Sequence, residues 1–517
     1  MEKLLKNRFI NKIYRLIKKY DLIFVFLTIF LINLGNALGE PFYVCDELYN
    51  FSNCFKMSQG FIPYIDTNLI ITPLLFYIVS CIFSVFGANY LVSRIVHIFI
   101  VSFVGLFFYI VLKKLIKHET TSYLATLFLL FFEEFYLVRE GINYTVFGYL
   151  ICLIGILLVL NREKIKGYNL IQGILVFLLF MTKQNMGVLY GLALFINELY
   201  SYRDIKYGKK ISNILVWGIT FVVLLTISAF ILYKLGILEG LINYCFLGMN
   251  EFGSENFLIG EKGLFILIPI IEVEIALLVL EHFLFKYKKL NITDKQKEQL
   301  RIIKVFSYIM FLTVIPIINL PHVVSALIIY GIRLVFVPVL FIDTGFERKN
   351  EYSKIDYIIK DITLVMLIIT MFISIKNVKA YLSYMFDDSI EKVEASSPYY
   401  GVIIPEEGVS MLKNVTEYIK NCKDEVLIIS DHANIYMNEL RKSNGIYDLP
   451  LEGNLGKDGE QGLINNLRKL HNDGNTQFMI LDDEDNVINY QLPENVINVI
   501  KNEFEYIGNI ECFLIYK

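Results

Sequence analysis

Charge is scarce in this chain. Asp, Glu, Lys and Arg together make up 19% of 517 residues, and they fall between long apolar runs rather than through them. The formal net charge of −3 and the lack of a basic stripe with interleaved aromatics give no footprint for nucleic acid. No GxxxxGK[ST] phosphate loop appears, so ATP-driven transport has no support, and neither HExxH nor GxSxG is present. No inverted repeat is visible, which weakens a secondary-transporter reading. The seven cysteines stand at 45, 54, 81, 152, 245, 422 and 512, without CxxC or Cys/His metal spacing. Cys45 with Cys54, or Cys422 with Cys512, could bridge; isolated thiols are the simpler expectation.

What is abundant is apolar surface: 55% of residues are hydrophobic and the mean hydropathy is +0.53. Soluble domains run nearer 45–50%. A bilayer core of about 30 Å needs about 20 helical residues. Apolar runs at 22–38, 90–112, 120–138, 142–160, 213–235, 263–285, 302–320, 323–342 and 357–375 meet or approach that length. Two shorter runs, 168–182 and 186–199, meet at Lys183, Gln184 and Asn185 and read as a tight hairpin.

Residues 69–86 are also apolar enough to span, and the positive-inside rule arbitrates. With 69–86 lying on the outer surface, the chain has about 11 spans and places 27 basic residues inside against 4 outside. With 69–86 spanning, the counts become 10 against 21. The first arrangement is expected, with Pro73 opening a surface helix. The fold class is then a polytopic α-helical membrane protein. Its N-terminus is cytoplasmic, residues 1–375 form the membrane domain with an outer loop over 39–89, and 376–517 lie outside. The basic segment before the first span resembles a secretory n-region, but a signal anchor fits the ten further spans better.

From 376 onward the pattern turns to soluble α/β. Val426–Ser430, Gln477–Leu481 and Cys512–Tyr516 have strand length, and helical stretches lie near 433–442, 460–472 and 493–503. Asn444-Gly445 and Asn472-Asp473-Gly474 are turn signals between them. Asp431 and His432 follow a strand end, where α/β sites often sit, although a turn capped by Asp is the simpler expectation and nothing here forms a catalytic set.

Acidic residues beside a membrane core mark functional sites by default. Asp46 and Glu47 follow the first span and precede Tyr49. Gly60, Pro63, Tyr64 and Asp66 come next, then the surface helix, then Arg94 at the start of the next span. This order resembles the GT-C glycosyltransferases of the family-39-like group, which includes protein O-mannosyltransferases and the aminoarabinose transferase of lipid A. Thr182-Lys183-Gln184 resembles that family's T-K turn. Pro321-His322 resembles its late-span motif, with Val323 in place of the aromatic. The resemblance covers roughly residues 20–345.

It implies a bacterial cell-envelope enzyme that transfers a sugar, with inversion, from a polyprenyl-phosphate donor on the outer face of the membrane. A glycan, lipid or protein is the acceptor. Asp46 is the expected base, with Glu47 second. An acceptor hydroxyl must lose a proton as it attacks, and a carboxylate within reach takes it. The phosphate leaving group needs positive charge, expected from Arg333 with Arg94 or Lys183. Tyr49, Tyr64, Asp66, Glu140, Asn143 and His322 are the expected pocket, Glu140 being chosen over Glu133, Glu134 and Arg139 in the same turn. A divalent ion held by Asp46, Glu47 and Glu140 is compatible with the pattern. Arg333 in mid-span could instead pair with Glu272 or Glu274, and Lys183 could simply snorkel. The rival functions are a polysaccharide transporter, flippase or polymerase, and a non-catalytic envelope protein.

Overall fold

The computed structural model describes residues 19–42, 46–117, 121–123, 125–127, 141–200, 207–248, 261–286, 292–315, 318, 320–345, 369–450, 454–482 and 493–517. Cys45, Glu133, Glu134, Arg139, Glu140, most of the 120–138 run and residues 357–368 lie outside them.

The first helix, α1 (Asp21–Gly39), runs antiparallel to α4 (Tyr90–Leu115). Asp21 joins them at one end, taking hydrogen bonds from Tyr109 Oη at 2.7 Å and from Lys113. Small residues let a third helix, residues 369–386, approach α1 closely, as in many membrane bundles. Gly35 faces Ser374, Gly39 faces Asn377, and Ser374 Oγ donates to Leu31 O at 3.1 Å.

Between α1 and α4 lie two short helices, α2 (Asp46–Ser58) and α3 (Leu74–Phe86). α3 has 13 residues, roughly 20 Å at 1.5 Å per residue, short of a bilayer core. It ends at Gly87, whose φ of +94° suits glycine, and Asn89 then caps α4 by accepting Val92 N–H at 2.8 Å.

Four helices among the described residues are long and apolar enough to cross a membrane: Asp21–Gly39, Tyr90–Leu115, Gly208–Lys234 and His322–Thr344. The hairpin forms as α6 (Tyr168–Thr182) and α7 (Gln184–Leu199), with Lys183 as the shared residue, after α5 (Tyr144–Leu160). Gly187 rests on the backbone of Phe180, and Tyr190 Oη bonds Gln172 Oε1 at 2.8 Å. There follow α8 (Tyr207–Lys234), α9 (Leu238–Ile242), which runs into a π turn over Asn243–Leu247, and α10 (Glu261–Lys286).

One helix is displaced from the apolar run that suggested it. α11 covers Asp294–Phe311, not 302–320. A Thr293/Gln296 capping box starts it early, through the charged stretch Asp294–Arg301, and a 3₁₀ turn at Leu312–Val314 ends it. Among the described residues, α12 (Leu320–Gly345) precedes the helix over 369–386.

The C-terminal region holds a four-stranded sheet in the order β1 (Glu425–Ile429), β2 (Thr476–Leu481), β4 (Phe513–Tyr516), β3 (Tyr506–Ile510). β1 and β2 are parallel; the other pairings are antiparallel. Side chains alternate across the sheet. Leu427, Ile429, Phe478 and Ile480 pack under helices Gly459–Asp473 and Glu494–Glu503. Ile428, Met479, Leu481 and Ile515 face the opposite way and join the core that continues through α2 into the helical bundle.

Candidate active site

The site starts from one buried guanidinium. Arg94, in the first turns of α4, has five N–H donors, and all five are engaged within the protein. Nε and Nη2 grip Glu47 at 2.8 and 3.0 Å, and Nη1 and Nη2 reach the carbonyls of Ala37, Glu40 and Pro41 at 2.8–2.9 Å. Glu47 is 2% exposed. The lock thus ties the end of α1, the start of α2 and the start of α4 to one point. Tyr90 closes one side, its ring 5.2 Å from the guanidinium.

Glu47 also abuts Gly141. A Cβ there would stand 2.4 Å from Glu47 Cγ, and φ is +58°, so both space and backbone require glycine. Two residues on, Asn143 caps α5 by accepting Thr145 and Val146 N–H at 2.8 and 3.1 Å. That turn meets the hairpin tip. Lys183 donates to Thr145 Oγ1 at 3.0 Å and lies 5.3 Å from the centre of the Tyr144 ring. His322 stands at the start of α12.

Asp46 is exposed at the first position of α2. The Glu47–Arg94 lock, Asn143, Tyr144 and Lys183 are connected through the turn from Gly141 to Thr145, and Asp46 precedes Glu47 in the chain.

Other expected site residues hold the loop in shape. Tyr49 Oη donates to Asn68 O at 3.0 Å, and Tyr64 Oη donates to Ile71 O at 2.6 Å. Burial pushes both phenols well above the ordinary tyrosine range. Asp66 closes the turn by accepting Ile62 N–H at 2.7 Å. Glu140 lies outside the described residues.

Arg333 is not brought to this cluster. It stands eleven positions beyond His322 on α12, roughly 16 Å along the axis. Its Nη1 bonds Glu274 at 2.5 Å, and Nε and Nη2 bond Glu281 at 3.0 and 2.9 Å. Lys304 joins Glu281 at 2.6 Å, and Tyr308 and Tyr330 donate to Glu274. Glu272, the other partner weighed for Arg333, is exposed.

The expected metal ligands are Asp46, Glu47 and Glu140, the last of which lies outside the described residues. Both oxygens of Glu47 accept from Arg94, one lone pair each. No group of three or more His, Cys, Asp or Glu suited to a metal occurs among the described residues.

Reading the sequence missed a second buried pair. Lys56, at the far end of α2, bonds Asp448 at 2.5 Å and Asn434 at 2.8 Å. Their side chains are 1% and 3% exposed. Asn438 Nδ2 to Ser52 Oγ at 2.6 Å and Asn68 Nδ2 to Leu449 O at 3.0 Å complete the attachment of the C-terminal region to the acidic loop. Burial lifts the Asp448 carboxyl above its usual range. Among the described residues the cysteines are free thiols.

No family model matches the chain, and no curated protein does. Solved structures do. ArnT from Cupriavidus metallidurans, bound to undecaprenyl phosphate, superposes with a TM-score of 0.54 at 11% identity, covering 96% of this chain and 97% of that one. The oligosaccharyltransferase of Archaeoglobus fulgidus, in a complex with Zn and sulfate, gives 0.50 at 12% identity over 88% and 68%. The same organism's oligosaccharyltransferase AglB, with an inhibitory peptide and a dolichol-phosphate, gives 0.50 at 10% over 90% and 70%. The chain shares its overall fold with these structures.

Proposed function

We propose that this chain is a membrane glycosyltransferase that moves a sugar from a polyprenyl-phosphate carrier to an acceptor at the outer face of a bacterial cell membrane, with inversion. The C-terminal region, 376–517, lies on that same face. The observation that carries the reading is the Glu47–Arg94 lock, which fixes the start of α2, where Asp46 stands, and which meets the Lys183 hairpin through the turn from Gly141 to Thr145. Two structures of the same fold hold a polyprenyl phosphate, which supports the donor class.

Asp46 is the base. The acceptor hydroxyl gives its proton to the carboxylate while its oxygen bonds to the anomeric carbon. The bond from that carbon to the phosphate oxygen breaks, and the electron pair leaves with the phosphate. Lys183 meets the charge that develops there, with Tyr144 beside it, and His322 serves the pocket from the start of α12. Arg94 cannot take this role while its donors hold Glu47 and three carbonyls, so it positions the acidic pair instead. Arg333 is balanced by Glu274 and Glu281 and belongs to the bundle interior. Tyr49, Tyr64, Asp66 and Asn143 shape the loop. A divalent ion would be held by Asp46, Glu47 and Glu140, the last outside the described residues.

The test is transfer of labelled sugar from a polyprenyl-phosphate donor. Asp46→Asn keeps the side-chain shape and removes the base, so transfer should fall about 10²–10⁴-fold, with undecaprenyl phosphate still bound. Full activity in both Asp46→Asn and Glu47→Gln would remove the catalytic assignment.

A further inference from the structure

A second site lies behind the first. A cavity of about 520 Å³ opens where the end of α8, the turn after it, the acidic loop and the C-terminal region converge. That volume falls within the ~300–1,000 Å³ usual for ligand pockets. Tyr64, Tyr233, Glu239, Asn243, Tyr244 and Lys457 line it.

Two backbone irregularities meet in its wall. Residues 243–247 form a π turn, a rare conformation found most often at functional positions. Tyr64 has φ of +66°, which a bulky residue adopts only when its surroundings enforce it. Gly240 permits that approach: a Cβ there would stand 2.7 Å from Tyr64. Asn243 Oδ1 accepts the backbone N–H of Lys457 at 2.7 Å and fixes the C-terminal side of the rim.

The cavity backs onto the candidate active site. Tyr64 Oη lies 3.7 Å from Cys245 Sγ, Cys245 O accepts Gln184 Nε2 at 2.9 Å, and Gln184 follows Lys183 in the hairpin. Its chemistry differs from that of a phosphate site. The exposed Tyr233 ring offers an apolar face with a polar edge. Glu239 only accepts hydrogen bonds when ionised and Lys457 only donates them, and their charges are opposite. That combination suits a molecule with apolar C–H faces and many hydroxyls, and it does not select an ion.

We propose that this cavity is the acceptor subsite and that it takes a neutral carbohydrate. The proposal rests on the glycosyltransferase reading above and names the class of molecule that receives the sugar.

The experiment is saturation-transfer NMR on the full chain in nanodiscs, with maltotriose, cellotriose and triacetylchitotriose as probes. Undecaprenyl phosphate binding is measured on the same samples. Tyr233 and Glu239 are exposed, so Tyr233→Ala and Glu239→Gln should fold with an unchanged thermal midpoint. The wild type should transfer saturation to at least one trisaccharide, both variants should lose that signal, and undecaprenyl phosphate should bind all three proteins alike. Absence of signal from the wild type with every trisaccharide, or equal signals from the variants, overturns the subsite. If the trisaccharide result holds and undecaprenyl phosphate binds none of the proteins, the subsite stands and the donor assignment fails.

Discussion

Replacing Arg94 separates a structural lock from a ligand for phosphate. Arg94→Met removes five hydrogen bonds at once and leaves two carboxylate oxygens of Glu47 and the carbonyls of Ala37, Glu40 and Pro41 without their partner. Removing one member of a buried ion pair costs about 3–5 kcal/mol, and hydrogen bonds to a charged group about 1.5–3 kcal/mol each. The Glu47 pair alone therefore places the loss near the upper part of the first range. The double variant Arg94→Met with Glu47→Gln removes the stranded charge and should recover part of it. Arg94→Lys keeps the charge, but an ammonium has three donors where the guanidinium fork has five, so it should be destabilised in the same direction and by less. The assay is thermal unfolding of the purified chain in detergent, alongside undecaprenyl phosphate binding. The reasoning is refuted if Arg94→Lys unfolds at the wild-type temperature while losing affinity for undecaprenyl phosphate. That pattern would make Arg94 a phosphate ligand and its bonds to Glu47 dispensable.

Lys56→Met should strand Asp448 and cost about 3–5 kcal/mol at neutral pH. Burial already raises the Asp448 carboxyl, and without Lys56 it rises further. A raised carboxyl gives its full stability below the unfolded value, about 3.9, and loses it as pH climbs through the folded one. Unfolding scans of Lys56→Met should therefore approach wild type as pH falls toward that range; a deficit independent of pH would contradict this. In the bundle interior, Glu274→Gln should rescue Arg333→Met better than Glu281→Gln does, because the first leaves the Lys304–Glu281 pair intact and the second strands Lys304; equal rescue in unfolding scans would refute the network. Reporters fused after Gly60 and after Lys517 should both score outside the cell, and cytoplasmic activity at both would end the proposed orientation.

Apolar length alone located most of the helices, because that signal is cumulative over a score of residues. It failed where composition and hydrogen bonding disagree. The run at 302–320 is apolar, yet α11 starts at Asp294, where a capping box decides the boundary. Strand-length runs at 426–430, 477–481 and 512–516 fall on β1, β2 and β4, which have buried residues along their length. β3 was not legible, because it is an edge strand with the mostly exposed sequence Tyr506–Ile510 and no apolar run. The helix Glu406–Asn421 went unread for a related reason: its apolar positions, Val409, Leu412, Val415 and Ile419, are single residues spaced along one face.

The arginines show why sequence order identifies candidates but not roles. Arg94 and Arg333 each sit in an apolar helix, and each raises the same question of which anion it meets. Charge scarcity narrows the answer to a few carboxylates, but which ones depends on helix packing that no local pattern encodes. Arg333 could be foreseen with Glu274. Glu281, seven positions along α10 and on the same face, was hidden because it sits near the basic end of its helix and reads as a boundary residue. Arg94 met Glu47, the neighbour of the proposed base, and engages three carbonyls besides. Carbonyls carry no sequence signature, so the saturation of Arg94 was invisible until the fold was known. The same holds for Lys56 and Asp448, which lie 392 positions apart. They join the C-terminal region to the helix that carries Asp46, so a change in that region can reach the acidic pair through α2 without any contact with donor or acceptor.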